Sequence, residues 1–128
     1  MKPQAENWLE IARYDLKTAN ECFKSGLYLK VFENCHSSLE KLMKGIIAEQ
    51  SSEPPPKIHD LLKLVSLALI RNVDEDIKKV LDELNDVYIS TRYPDDIKDL
   101  ISELTKERTQ KILERVKEIQ KWLMKQIK

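Results

Sequence analysis

The sequence predicts an all-α fold: an antiparallel up-and-down bundle of four main helices plus a shorter one. Three observations carry that expectation. Apolar residues recur at helical spacing along almost the whole chain. No strand-like alternation runs beyond a few residues. Only two glycines, Gly26 and Gly45, occur in 128 residues, so long segments are free of helix breakers. A hydrophobic fraction of 41% supplies one core, and the length suits a single domain, 1–128.

The first helix is expected over roughly 4–24, with Pro3 suited to its entry. Its stripe is Trp8, Leu9, Ala12, Leu16, Ala19 and Phe23, and Gly26 is placed to end it in a left-handed C-cap. The second helix covers about 28–49. Its wide apolar face, from Val31 and Phe32 through Leu39 to Ile46 and Ile47, marks it as central. "SSEPPP" then breaks the pattern, because three consecutive prolines favour an extended linker. A third helix begins near His59 and carries Leu61, Leu62, Val65 and Leu69. Asn72 and Glu75 have capping-box-like spacing for a fourth, with Ile77, Val80, Leu81, Leu84 and Tyr88 inward. Pro94 ends that region. A short turn over 97–104 precedes the last helix, about 105–127, with Ile112, Val116, Ile119 and Leu123 inward.

Composition narrows the function classes. Charged residues make up 34% of the chain, and no apolar run approaches the roughly 20 residues that a membrane span needs. The start, "MKPQAENWLEIARYD", has no signal-peptide pattern. Cys22 and Cys35 form no CxxC pair, and no Cys/His cluster has zinc spacing. We therefore expect reduced thiols in a cytoplasmic protein, no metal and no cofactor. A net charge of zero argues against a broad nonspecific nucleic-acid footprint. Residues 74–103 nevertheless hold ten acidic against four basic side chains, and residues 105–128 eight basic against three acidic. An acidic helix beside a basic one explains this; so does a basic face offered to a phosphate or an acidic partner.

The chemistry concentrates in few places. In "STRYPDD", residues 90–96, Arg92 lies one turn beyond Tyr88, between Thr91 and Tyr93, with Asp95 close behind. A guanidinium is a permanent fork of donors suited to phosphate or carboxylate. It could instead lock the corner by pairing with Asp95 or Asp96. The polar flank of the second helix offers Asn34, His36, Ser37, Glu40, Lys41 and Lys44; of these, Asn34 and His36 are out of place in so apolar a helix. His59 and Asp60 open the third helix, where the aspartate suits capping and loop packing accounts for the histidine. Asp15, beside Leu16, reads as a partner for a neighbouring helix. No glycine-rich phosphate loop, HExxH or GxSxG occurs.

In order and spacing these pieces resemble the HEPN family, the "higher eukaryotes and prokaryotes nucleotide-binding" domain, over almost the whole chain. "WLEIARYDLKTA" is similar to the family's opening helix, with Asp15, Leu16 and Ala19 as its DLxxA element. Gly26 and Tyr28 stand where a glycine and an aromatic begin the second helix. "LEKLMKG" resembles its EKxxKA core through Glu40, Lys41 and Lys44, with Gly45 in place of alanine. "PPKIHDL" and "VYISTRYPDD" are similar to its PPKTHDL and YYIPTRYPDA. The resemblance implies an antiparallel helical bundle and a homodimer, which the wide face of the second helix would serve. It implies the prokaryotic stand-alone type, found with a minimal nucleotidyltransferase partner in a toxin–antitoxin-like or defence setting. It also implies nucleotide or RNA-phosphate binding, with Arg92, Tyr93, Asp95, Asn34, His36, Lys41 and Lys44 as the ligand-binding set. RNA-cleaving branches carry an arginine followed, after four to six residues, by histidine. Here no arginine precedes a histidine at that spacing, and His36-Ser37 replaces a glutamine pair. The alternatives are thus a metal-independent ribonuclease, with Arg92 and His36 as its candidates, and a structural dimerisation adaptor without a ligand.

Overall fold

The computed structural model describes residues 1–127, which form six helices and no strand. They are α1 (Pro3–Lys24), α2 (Tyr28–Gln50), α3 (Leu61–Leu67), α4 (Glu75–Ser90), α5 (Ile97–Glu103) and α6 (Lys106–Met124). The all-α expectation holds. The long helices are α1, α2, α4 and α6, but the short ones number two, because 97–103 forms a helix and not a single turn.

The capping chemistry places the boundaries. α1 ends in a Schellman motif: the Gly26 and Leu27 amides donate to the Phe23 and Cys22 carbonyls, and Gly26 takes φ 73°. Asp60 caps α3, accepting from the Leu62 and Lys63 amides, so that helix starts at Leu61 and His59 stays outside it. The α4 cap is Asp74, which accepts from the Ile77 amide at 2.8 Å. Asn72, expected in that role, instead turns the chain at φ 63°. Leu69, expected on the third stripe, lies past the end of its helix at φ 57°, and its side chain is exposed. Thr105 caps α6 through the Arg108 amide.

α2 is the central helix. It packs along α1 and against α3, α4 and α6. Its core residues Val31, Phe32, Cys35, Leu39, Leu42, Met43 and Ile46 are buried within this one chain. The face expected to await a second copy is therefore already covered. The exposed apolar side chains include Ile89, Tyr93 and Ile101, on and after α4. Polar ties fix α2 against its neighbours. Ser37 donates to Asp15 at 2.6 Å, the inter-helix role expected of that acid. Ser38 donates to the Ala12 carbonyl at 2.7 Å, and Gln120 of α6 donates to Ser38 at 3.1 Å.

Gly45 is where α1 comes closest. A Cβ there would lie 3.1 Å from Trp8 Cβ, 3.3 Å from Leu9 Cδ2 and 3.4 Å from the Ala5 carbonyl oxygen. Two of these atoms move only if α1 moves. In a free helix, alanine for glycine gains about 1 kcal/mol. Here the crowding outweighs it, because overpacking typically costs about 1–3 kcal/mol. Gly45→Ala is expected to lower the urea midpoint, and a raised midpoint would show that α1 yields without strain.

Candidate functional site

The site grows from one flank of α2. His36, Glu40 and Lys44 follow one another at i, i+4 and i+8, so their side chains share a line. Lys41 adds a second cation beside them. The α3 cap turn brings in His59, and the last turns of α4 bring in Tyr88 and Thr91. Glu33, His36, Ser37, Glu40, Lys41, His59, Tyr88 and Thr91 line an open cavity of about 240 Å³, with Lys44 behind Glu40. A smaller cavity of about 120 Å³ shares His59 and Tyr88 and is completed by Asp60, Asn85 and Ile89.

Glu40 is its electrostatic centre. The carboxylate side chain is only 4% exposed. It accepts from Lys44 Nζ at 2.9 Å and Lys41 Nζ at 3.4 Å, and both its oxygens lie 3.1 Å from His59 Nδ1. Burial by itself would raise the Glu40 carboxyl. The hydrogen bonds from Lys44 and His59, with the charges of Lys41 and Lys44, outweigh it and hold the group below the usual carboxylate range. A carboxylate against Nδ1 makes that nitrogen the donor, which leaves His59 Nε2 for other partners. The His59 side chain is half exposed.

His36 differs. It is buried, and its Nδ1 is 3.7 Å from Glu40, beyond hydrogen-bonding reach. Its Nε2 has no hydrogen-bond partner among the described residues. The imidazole lies flat on Tyr88, with ring centroids 4.3 Å apart and planes 11° apart. Burial pushes its pKa below the ordinary histidine value, and the nearby Glu40 charge only partly opposes this.

Arg92 contacts the same tyrosine. Its guanidinium carbon is 4.7 Å from the Tyr88 ring centroid, and Nη2 donates to the Tyr88 hydroxyl. Its orienting group is therefore Tyr88, one turn back, and among the described residues no ion pair joins it to Asp95 or any other carboxylate. The corner itself is held by backbone turns: the Arg92 amide donates to Ile89 and the Tyr93 amide to Ser90.

Of the residues singled out in the sequence, His36 and Lys41 line the larger cavity, while Lys44 and Arg92 line neither but are joined to its liners Glu40 and Tyr88. Asn34 is committed elsewhere, donating to the Lys30 carbonyl of its own helix at 2.8 Å. Tyr93 and Asp95 are exposed and line neither cavity. Three contributors stood outside the expected ligand-binding set: Glu40, read as part of the polar flank of the second helix, His59, read as loop packing, and Tyr88, read as part of the α4 stripe. The i, i+4 spacing of His36 and Glu40 was a usable signal for the first; nothing local signals that His59 and Tyr88 meet it.

The other clefts carry less chemistry. One of about 290 Å³ lies between Trp8 and the proline loop, with Glu53 its sole charged liner. Two between α4 and α6 mix acids and bases, as at Asp76, Arg115 and Glu118. No group of three or more His, Cys, Asp or Glu among the described residues is arranged to hold a metal ion.

Residues 5–127 match the family model described as the HEPN domain. The chain belongs to the HEPN domain family. No curated protein and no solved structure matches it. As a HEPN domain it is a helical module of the nucleotide- or RNA-binding or ribonuclease-like kind, from a family whose members commonly dimerise. No helix among its described residues is long and apolar enough to cross a membrane.

The two shifted groups of the site, His36 and Glu40, give this HEPN domain an acid-sensitive stability. A depressed folded pKa contributes stability above the unfolded value and loses it as pH falls through the folded one. For His36 the loss begins below about 6.5, and for Glu40 below about 4.5. Urea midpoints are thus expected to fall in two stages on acidification. The upper stage is absent in His36→Phe; its persistence in that variant would assign it to another group.

Proposed function

We propose that this HEPN domain binds the phosphate of a nucleotide or of RNA in the α2–α3–α4 cavity. It is a cytoplasmic binding module, homodimeric, that acts with a minimal nucleotidyltransferase in a toxin–antitoxin-like or defence setting. The observation that carries this reading is Arg92, which is not itself a lining residue but is bonded to Tyr88, the cavity's α4 liner. A guanidinium held on a tyrosine ring, with no carboxylate among its described neighbours, keeps its donors for an anion. Lys41, on the cavity wall and 26% exposed, adds a second positive charge. Family membership supports the ligand class, the second copy and the partner. The free thiols Cys22 and Cys35 suit a reducing compartment. Burial pushes the Cys35 thiol up to about 12, so it is inert.

The test is a melting curve with adenosine and guanosine nucleotides and a short oligoribonucleotide. A free ligand at a hundred times its dissociation constant stabilises the fold by about 2.7 kcal/mol. An unshifted midpoint with every one of these at millimolar level would remove the reading.

One observation favours a second reading, metal-independent RNA cleavage. His59, oriented by a buried carboxylate through Nδ1 and half exposed, has the arrangement of a proton carrier. His36, buried and neutral, does not. Cleavage in EDTA that survives His36→Phe and is lost in His59→Gln supports this reading; inert wild-type protein ends it.

A further inference from the structure

We infer that His36 is a positioning residue: its imidazole is the platform that sets the Tyr88 ring, and through that ring the Arg92 guanidinium, for the anion. The inference rests on the phosphate-binding reading above and adds a buried residue that sets its strength without touching the ligand.

The geometry is two contacts on one tyrosine. His36 makes the buried one, stacked 4.3 Å from Tyr88 with an interplanar angle of 11°. Arg92 makes the exposed one, on the ring and hydrogen-bonded to its hydroxyl. A half-buried tyrosine on the last turns of a helix could turn about its side-chain torsions. An imidazole held at 1% exposure removes that freedom on one face. The tilted His59 ring, 5.5 Å away, limits it from the side. What remains is one ring orientation, with its hydroxyl fixed for the guanidinium. Arg92 is thereby preorganised without a carboxylate neutralising it.

The polar inventory of His36 fits this role. Its Nε2 makes no hydrogen bond among the described residues, and its Nδ1 stands 3.7 Å from Glu40. A side chain kept for proton transfer would be solvent-accessible, as the half-exposed His59 is. His36 presents a face. Neutrality also matters, because a second cation on the same ring would compete with Arg92 for its π-electrons. Burial keeps the imidazole uncharged near neutral pH.

The test is a mutant cycle on the full chain, read as affinity for a fluorescein-labelled single-stranded oligoribonucleotide and for inorganic pyrophosphate. The Arg92 side-chain N–H resonance in NMR serves as a second readout. Stacked aromatic pairs contribute about 0.5–1.5 kcal/mol, so His36→Ala is expected to weaken both probes roughly two- to thirteenfold and to average the Arg92 signal. His36→Phe, which keeps a flat face and no nitrogen, is expected to bind within about twofold of wild type. In an Arg92→Ala background, His36→Ala is expected to change nothing further. Additive losses would overturn the inference, as would wild-type binding by His36→Ala. Should His36→Ala not fold, His36→Phe decides: an ordered Arg92 signal with near-wild-type affinity supports the platform, and loss of both overturns it. Unchanged binding by Arg92→Ala alone would end the phosphate-binding reading, and this inference with it.

Discussion

Glu40→Ala is expected to lower the unfolding free energy by about 3–5 kcal/mol, the usual cost of leaving a buried charge without its partner. The Lys44 side chain is 8% exposed and has Glu40 as its counter-charge at 2.9 Å. With that carboxylate gone, the ammonium must stay buried unpaired or drag α2 and the Trp8 region apart to reach water. His59 loses its anchor at the same stroke, and with it a link between the proline loop and α2. Glu40→Gln keeps the volume and one acceptor oxygen, and its expected loss is about 1–3 kcal/mol. Replacing both charges, as in Glu40→Leu with Lys44→Met, is expected to cost less than Glu40→Ala, because no orphaned charge remains. Urea unfolding of the three variants measures the series. A Glu40→Ala midpoint equal to wild type would mean that water reaches Lys44 freely, and the cluster would then be a surface network.

Arg92→Ala is expected to separate binding from stability. Arg92 is exposed and its packing is confined to Tyr88, so its unfolding free energy changes by no more than about 0.5 kcal/mol. Charge-assisted hydrogen bonds are worth about 1.5–3 kcal/mol each, so affinity for a phosphate ligand drops by roughly tenfold to a hundredfold. Isothermal titration of wild type and variant with the same oligoribonucleotide reads the difference. Arg92→Lys keeps the charge but not the planar fork, and is expected to recover only part of the loss. A variant that unfolds early while binding unchanged would make Arg92 a structural clasp. The stability and affinity changes are thus opposite in size for Glu40 and Arg92, although both belong to one cluster. Glu40 is the buried support of the site, and Arg92 is its exposed end.

Which positions could be read in advance follows from the range of the interactions. The stripes of α1, α2, α4 and α6 repeat every three or four residues, and a repeat that local can be seen in the chain itself. The same holds for Gly26, whose left-handed turn needs no distant partner, and for Asp60, which caps the helix that it adjoins. The choice between Asn72 and Asp74 as the α4 cap was not open to such reading. Both side chains can cap, and the path of the chain after α3 decides which one meets an amide.

The site divides along the same line. Sequence by itself determined an all-helical chain with α2 at its centre, a row of polar groups on that helix and an arginine just past the end of α4. Tertiary structure alone decided that Glu40 holds His59, 19 residues away, and that Tyr88 contacts His36 as well as Arg92. It also committed Asn34 to its own helix backbone and left Tyr93 and Asp95 in the open. The physical reason is that helical periodicity states which face a residue occupies, whereas contacts between helices depend on how loops and crossing angles bring those faces together. No short-range pattern encodes that second quantity.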